Sequence, residues 1–263
     1  MFEFHADRKR YFDIQQLNSE KYLLPFIESN FTIKEGMRVL EIGCGEGGVL
    51  KPFLDQGAIC VGVEFDKTRI ENGEKWLSED IEKSKLSFVI KDIFDTSVES
   101  LGGKFDIIIL KDVIEHIHDQ TKLLTRLKDF LNNDGIIFFG FPPWQMPFGG
   151  HQQLSQSSLS KVPYFHLFPR AVYKGLLKLF KEKDHVVNDL LEIKDTGISI
   201  ERFEKIVKKT NYKVVDRIHY LFNPIYEYKF NIKPKKQNKL VSKIPYVRDY
   251  FTTCVYYIIK SAN

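Results

Sequence analysis

The run Glu41-Ile42-Gly43-Cys44-Gly45-Glu46-Gly47-Gly48 holds the residues best suited to receiving a ligand. A short apolar segment, Arg38 to Ile42, leads directly into Gly43-x-Gly45-x-x-Gly48, and helical spacing follows. Glycines at such a turn admit a tight bend and let a ligand approach the main chain, the requirement for holding a nucleotide. Glu64 ends the next apolar run, about 20 residues on, where a carboxylate can accept hydrogen bonds from both hydroxyls of a ribose. Asp66, two residues further, competes for that role. The glycine spacing alone leaves the choice of adenosine cofactor open, because it also satisfies the dinucleotide fingerprint.

These residues need a sheet edge to carry them. Nearly continuous apolar runs predict strands over 38–42, 59–64, 86–90, 105–110 and 135–141, as expected of strands covered on both faces. Helical spacing between them, over 48–56, 66–80 and 121–131, supplies the cover, with Leu123, Leu124, Leu127 and Leu131 forming one stripe. The alternation implies an α/β fold with a wound, mostly parallel sheet. The pattern breaks at Pro142-Pro143-Trp144 and resumes with a helix over 199–210 and strands over 213–220 and 253–259, giving seven strands. The expected organisation is an amino-terminal helical cap over 1–34, a Rossmann-like domain over 35–141 and 197–263, and an insertion over 142–196. An amino-terminal helix is expected over 14–29, with Pro25 as the place where it bends or ends.

A chain of 263 residues with 43% apolar and 14% aromatic residues can bury a core of its own. Its first ten residues carry charges where a secretory signal needs an apolar run, so export is not expected and the cytoplasm is the expected compartment. The longest apolar stretches fall far short of the roughly 20 residues that span a bilayer. Cys44, Cys60 and Cys254 are too scattered for a disulfide framework or a thiolate zinc site. The net charge of +4 is modest, with Lys233, Lys235, Lys236, Lys239 and Lys243 concentrated near the carboxyl end. Such a segment reads either as a solvated loop or as a contact for an anionic partner.

The stretch from Val39 to Gly47 resembles motif I of class I S-adenosylmethionine-dependent methyltransferases, including the acidic Glu41 ahead of the glycines. The resemblance continues through Glu64, Lys91-Asp92-Ile93, Phe105 to Leu110, and Leu131-Asn132-Asn133-Asp134-Gly135, covering about residues 35–141. It implies a Rossmann-like fold and S-adenosylmethionine as cofactor. The cofactor contacts it implies fall on Glu41, Gly43, Cys44, Gly45, Gly47, Glu64 and Phe65, on Asp92 and Ile93 at the adenine, and on Lys111 and Asp112 at the methionine end. The rival, a dehydrogenase, has only Tyr256-x-x-x-Lys260 to offer, on a predicted strand where residues four apart are well separated.

Methyl transfer from a sulfonium starts from an activated electrophile, so the protein supplies in-line positioning and, for a hydroxyl acceptor, removal of a proton. Asp112-Val113-Ile114-Glu115-His116 follows the fourth strand, and on a helix Asp112, Glu115 and His116 would share one face. This segment is similar to the acidic-x-x-Glu-His segment of ubiquinone-biosynthesis O-methyltransferases and of small-RNA 3′-end methyltransferases. The resemblance implies a divalent metal on Asp112, Glu115 and His116, although this chain has Asp where those families usually have Glu. Asp112-x-x-Glu115 also reads as a capping box, and His116 as a packing histidine. His116 and His151 are the candidate catalytic residues, His151 as general base or further ligand, with His166 a weaker candidate.

The insertion carries Trp144, Phe148, Tyr164, Phe165, Phe168 and Tyr173 and is expected to form a substrate lid. Its helical part sets Val172, Leu176, Leu179 and Phe180 on one face, which suits a peripheral membrane contact or docking on the core. Enzymes that methylate nucleobase amines carry a polar-Pro-Pro-aromatic motif after the fourth strand, whereas the similar Phe141-Pro142-Pro143-Trp144 follows the fifth here, so the comparison disfavours that acceptor. The expectation is O-methylation of a small, hydrophobic or lipid- or glycan-linked acceptor, with nucleic acid not the expected partner. Two alternatives stand beside it. The basic segment over 233–243 favours an RNA methyltransferase, and intact loop residues argue against a non-catalytic cofactor-binding subunit.

Overall fold

The computed structural model describes residues 7–262. Strands β1 (Arg38–Ile42), β2 (Ile59–Glu64) and β3 (Leu86–Ile90) form where the apolar runs predict them. Strand β4 spans Phe105–Lys111, β5 Leu131–Phe141, β6 Tyr212–Phe222, β7 Lys235–Lys236 and β8 Cys254–Ser261. Their order in one sheet is β3-β2-β1-β4-β5-β8-β6-β7. Strands β1 to β5 pair in parallel, and β8 runs antiparallel between β5 and β6.

The fold class is the expected Rossmann-like α/β sheet, with eight strands in place of seven. The extra strand, β7, is two exposed lysines paired to the edge of β6, too short and too polar to leave a pattern in the sequence. Strand β5 begins at Leu131, so Leu131 leaves the helical stripe it was expected to complete. The polar Asn132-Asn133-Asp134 run hides that start, and the pairing with β4 is irregular between Phe105 and Ile107.

Helices cover both faces. Helix α1 (Arg8–Asn18) is capped by Asp7, whose side chain accepts from the Arg10 amide at 3.0 Å. A π-helical turn over Ser19–Leu23 joins it to α2 (Leu24–Glu28). The widened turn lies just ahead of Pro25, which lacks a donor, and the helix continues through it where an end was one expectation. Short α3 (Lys51–Asp55) packs on the same face, so that Phe12, Leu23, Phe53 and Ile109 share one core. The opposite face is covered by α6 (Gln120–Phe130), reached after α4 (Lys67–Trp76) and α5 (Ser78–Glu82), and by α9 (Ile200–Lys209). There Leu123, Leu124 and Leu127 meet Phe139, Phe203 and Tyr257.

Residues 142–196 build a small core of their own. Helices α7 (Arg170–Leu179) and α8 (Asp184–Thr196) pack through Tyr173, Leu177, Val187 and Leu190. Helix α7 therefore docks through Tyr173 and Leu177, and the face carrying Val172, Leu179 and Phe180 is left exposed, Leu179 to 73%. The segment after β6 forms α10 (Tyr226–Phe230) and α11 (Val247–Tyr250). Arg248 anchors it, donating to Glu201 at 2.9 Å and to Glu204 at 2.8 Å in buried surroundings. Among the described residues, no helix is long and apolar enough to cross a membrane.

Candidate active site

The glycine loop leaves β1 through residues that only glycine adopts without strain, Gly43 at φ 67° and Gly45 at φ 55°. Gly43 and Cys44 donate their amides to the Val63 carbonyl at 2.8 and 3.2 Å, which ties the loop to the end of β2. Among the described residues, no atom stands within 4 Å of where a Gly45 side chain would begin, so the loop faces open space there. Helix α1 closes the loop from outside. A side chain on Gly48 would start 2.7 Å from the Phe12 carbonyl, and Arg8 Nε donates to Glu46 at 2.6 Å.

Glu64 lies beneath this opening and is 4% exposed. Its Oε2 accepts from the Gly45 amide at 3.1 Å, and its Oε1 accepts from Phe65 and Asp66 amides at 2.9 and 3.0 Å. The carboxylate is thus fixed at the loop with lone pairs remaining for a ligand. Asp66 is committed elsewhere, as the cap of α4, accepting from the Thr68 amide at 2.9 Å. Phe65 is 80% exposed beside the opening. At the end of β3, Asp92 is exposed and caps a 3₁₀ turn by accepting from the Phe94 amide at 2.9 Å, and Ile93 is buried.

Glu41 is buried, and its Oε2 has no hydrogen-bond partner among the described residues. Burial pushes its carboxyl well above the usual range, with the Lys111 ammonium opposing and Glu64 reinforcing. Cys44 is also buried, and burial raises its thiol well above the ordinary value, so it acts as a filler and not a nucleophile. An orphaned acid beside an open glycine turn fits a polar, cationic cofactor such as S-adenosylmethionine.

At the end of β4 the chain departs from the expected helix. Asp112 has φ 56°, and its amide donates to the Gly140 carbonyl at 2.7 Å. The next element is a single 3₁₀ turn, Ile114–His116, whose first residue is preceded by Val113 with no side-chain cap. The capping box does not form, because the left-handed backbone at Asp112 turns its side chain away from the amides it would cap. Its carboxylate instead meets Lys111 Nζ at 2.5 Å. Burial alone would lower the Lys111 ammonium, and Asp112 more than offsets this, so the ion pair is held charged.

Of the residues expected to hold a metal, Asp112 is engaged with Lys111. The groups that converge are Glu115, His116 and His151, whose ligand atoms all lie within 4.8 Å of one another. The His116 and His151 rings are 4.9 Å apart between centroids. Glu115 is 3% exposed, and among the described residues neither carboxylate oxygen has a hydrogen-bond partner beyond its own main chain. Burial, then the nearby Asp112, drives its carboxyl well upward. Solvent reaches His116, yet the walls of the cleft around it lower its pKa, with Asp112 opposing, which favours the neutral imidazole that ligates metals. One carboxylate and two imidazoles are a suitable donor set for a divalent ion, and the unpartnered Glu115 oxygens fit that use.

His166 is structural. Its Nε2 meets the Trp144 carbonyl at 2.7 Å, its ring stands edge-on to Trp144, and burial lowers its pKa to about 4. Trp144 in turn donates its amide to Ile198 at 2.8 Å, closing the base of the insertion. Three further residues reach the same cleft without a mark in the sequence: Tyr11 on α1, and Tyr226 and Lys229 on α10. Each acts electrostatically on, or is acted on by, Asp112. They lie more than 90 residues from β4 in the chain, so no spacing signal reveals them.

Residues 14–193 match the model of a methyltransferase domain family. The chain belongs to that family. Its fold is that of the class I S-adenosylmethionine-dependent methyltransferases. Among curated proteins it is 31% identical over 104 residues to a ubiquinone biosynthesis O-methyltransferase of Bartonella quintana, covering 40% of each chain. The corresponding protein of Mesorhizobium japonicum is 33% identical over 107 residues, again 40% of each. The chain spans about two fifths of the length of these relatives. Among solved structures, a Clostridium acetobutylicum S-adenosylmethionine-dependent methyltransferase superposes with a TM-score of 0.57 at 13% identity, covering 94% of this chain and 92% of that one. A magnesium protoporphyrin IX methyltransferase of Synechocystis, solved with S-adenosylhomocysteine, gives 0.57 at 14% identity over 99% and 88%. These likenesses establish the fold.

Proposed function

We propose that this methyltransferase acts on an oxygen of a small, hydrophobic or lipid- or glycan-linked acceptor. The observation that carries the reading is the convergence of Glu115, His116 and His151 at the carboxyl end of β4, beside the cofactor loop. The likeness to O-methyltransferases over the cofactor-binding half supports it.

In this reading Glu64 receives the ribose hydroxyls and Phe65 covers the adenosine, with Asp92 and Ile93 at the base. Gly43, Gly45 and Gly47 let the cofactor approach the main chain, Cys44 fills the space behind, and Glu41, Lys111 and Asp112 face the methionine end. S-adenosylmethionine supplies a methyl group already activated on a sulfonium. A divalent cation, held by Glu115, His116 and His151, would lower the pKa of an acceptor hydroxyl. With no ion bound, His116 and His151 would be the candidates to accept the hydroxyl proton, since each imidazole has a lone pair to accept it only when it does not ligate the metal.

Residues 142–196 act as the acceptor lid, since His151 enters the cluster from that segment. The exposed Val172, Leu179 and Phe180, with Lys174, Lys178 and Lys181 around them, support a peripheral contact with an anionic bilayer. Liposome co-sedimentation should retain the protein on anionic vesicles and not on neutral ones, and failure to bind either would remove this part of the reading. For the reaction, turnover of S-adenosylmethionine with a metabolite and lipid extract should fall at least tenfold on chelation and return with added Mg²⁺ or Mn²⁺. Turnover indifferent to chelator would show that no metal takes part.

A further inference from the structure

The connection between β6 and β8 has its polarity reversed. Over 244–252 the side chains of Arg248, Asp249 and Thr252 are buried, whereas Ile244, Tyr246, Val247, Tyr250 and Phe251 are exposed. A segment that faces water does the opposite, because burying charge and exposing contiguous apolar surface are both costly. On the turn of α11, Val247, Tyr250 and Phe251 share one face through i, i+3 and i+4 spacing.

The main chain is pinned, so these side chains cannot turn inward. Arg248 is bound to Glu201 and Glu204, Asp249 Oδ1 accepts from the Ile200 amide at 3.0 Å, and the Tyr246 amide donates to Glu201 at 2.8 Å. Tyr246 keeps its outward place at φ 65°, a left-handed backbone that a bulky residue adopts at a cost. Neighbouring segments are tied to the same surface. Gln237 donates its side-chain amide to the Phe251 carbonyl, so the turn carrying Leu240, 74% exposed, starts beside Phe251. From the insertion, the Tyr164 hydroxyl donates to the Tyr250 carbonyl at 3.2 Å.

The charge around this patch is of one sign. Between Glu227 and Asp249 the chain holds no aspartate or glutamate, while Lys233, Lys235, Lys236, Lys239 and Lys243 are all exposed. The segment lies beyond the residues 14–193 that match the methyltransferase family model. We propose that the connection over 233–251 is a docking surface for an anionic lipid bilayer, in which the exposed apolar side chains enter the headgroup boundary and the lysines meet the headgroups. A nucleic acid would satisfy the lysines and stack on the aromatic rings, but it offers no hydrocarbon to Leu240, Ile244 and Val247. The inference extends the peripheral contact proposed for α7 to a second surface, carried by different residues and tested apart from it.

Co-sedimentation of the full chain with phosphatidylcholine vesicles, with and without phosphatidylglycerol, tests this. Wild type is expected on the anionic vesicles. Leu240→Asn combined with Tyr246→Asn should weaken that binding about tenfold or more by removing inserted apolar area. Lys239→Glu combined with Lys243→Glu should weaken it by a larger factor, and added salt should weaken wild type in the same sense. All four positions are exposed, so both variants should keep the wild-type melting temperature, and if one does not, the other carries the test. Leu179→Asn combined with Phe180→Asn reports on α7 alone. Loss of binding in the connection variants upholds the proposal, whatever the α7 variant does. Loss in the α7 variant alone would uphold that contact and overturn the connection as a docking surface. The proposal is also overturned if the Leu240 and Tyr246 variant binds as tightly as wild type, or if wild type binds neither vesicle. Binding of polyuridylate in place of vesicles would make the surface a nucleic-acid contact.

Discussion

The two halves of the cleft are built differently. The cofactor half is local: Gly43 to Gly48, Glu64 and Asp92 sit at the carboxyl ends of β1, β2 and the edge strand β3, and their positions follow from strand ends that are adjacent in the sheet. The acceptor half is assembled from parts that are distant in the chain. His151 comes from the insertion to meet the turn after β4, and Lys229 of the last connection lies 5.0 Å from the Tyr11 ring of the first helix. Main-chain amides hold the first half together, whereas side-chain packing and ion pairs hold the second.

The largest expected effect tests the cofactor half. Glu64→Ala removes a carboxylate that pins the Gly45 amide and, in the proposed reading, receives the ribose, so S-adenosylmethionine affinity should fall about 100-fold, the worth of two charge-assisted hydrogen bonds. Calorimetry checks this, with circular dichroism to verify folding. Retained tight binding would show that the main chain alone holds the cofactor.

A smaller effect separates stability from function within that half. Burial raises the Glu41 carboxyl above its unfolded value. Its contribution is then most favourable below the unfolded pKa, about 4.3, and is lost as pH rises through the folded pKa. Glu41→Gln should raise the melting temperature of the cofactor-free protein at pH 7 by a few degrees, for about 1–2 kcal/mol, and change it little at pH 4. An equal shift at both values would show that the carboxyl's charge is not the cause.

The smallest effect lies where the halves touch. Arg8 joins α1 to Glu46 of the glycine loop, with the arginine side chain 31% exposed. Arg8→Ala should weaken S-adenosylmethionine binding only a few-fold, in keeping with about 0.5–1 kcal/mol for a partly exposed ion pair. A loss as large as that of Glu64→Ala would make α1 a component of the cofactor site.

The same division governs what could be read from the sequence. Strands β1, β2 and β3 were legible to the residue because each is a short, mostly apolar run bounded by polar residues or glycine, β1 and β2 buried in the sheet and β3 at its edge. The glycine loop and Glu64 follow directly from those strand ends. Strand β5 starts earlier than its apolar run, since hydrogen bonding to β4 recruits Leu131 ahead of three polar residues. The turn after β4 misled for a physical reason: i, i+3, i+4 spacing assumes a helix, and Asp112 adopts a left-handed conformation that ends the strand instead. His151 was visible as a candidate, but its ring contact with His116 depends on how 142–196 folds back. Tyr11 and Lys229 carried no signal, because an isolated tyrosine and lysine on short helices resemble any solvated face.

The most direct test of the central claim is methyl transfer itself, followed with trideuteriomethyl S-adenosylmethionine in a metabolite and lipid extract and read by mass spectrometry. A trideuteriomethyl group on oxygen is the predicted product, lost in Glu115→Gln while that variant binds S-adenosylhomocysteine as tightly as wild type. Label on nitrogen or carbon, or undiminished product from Glu115→Gln, would contradict it.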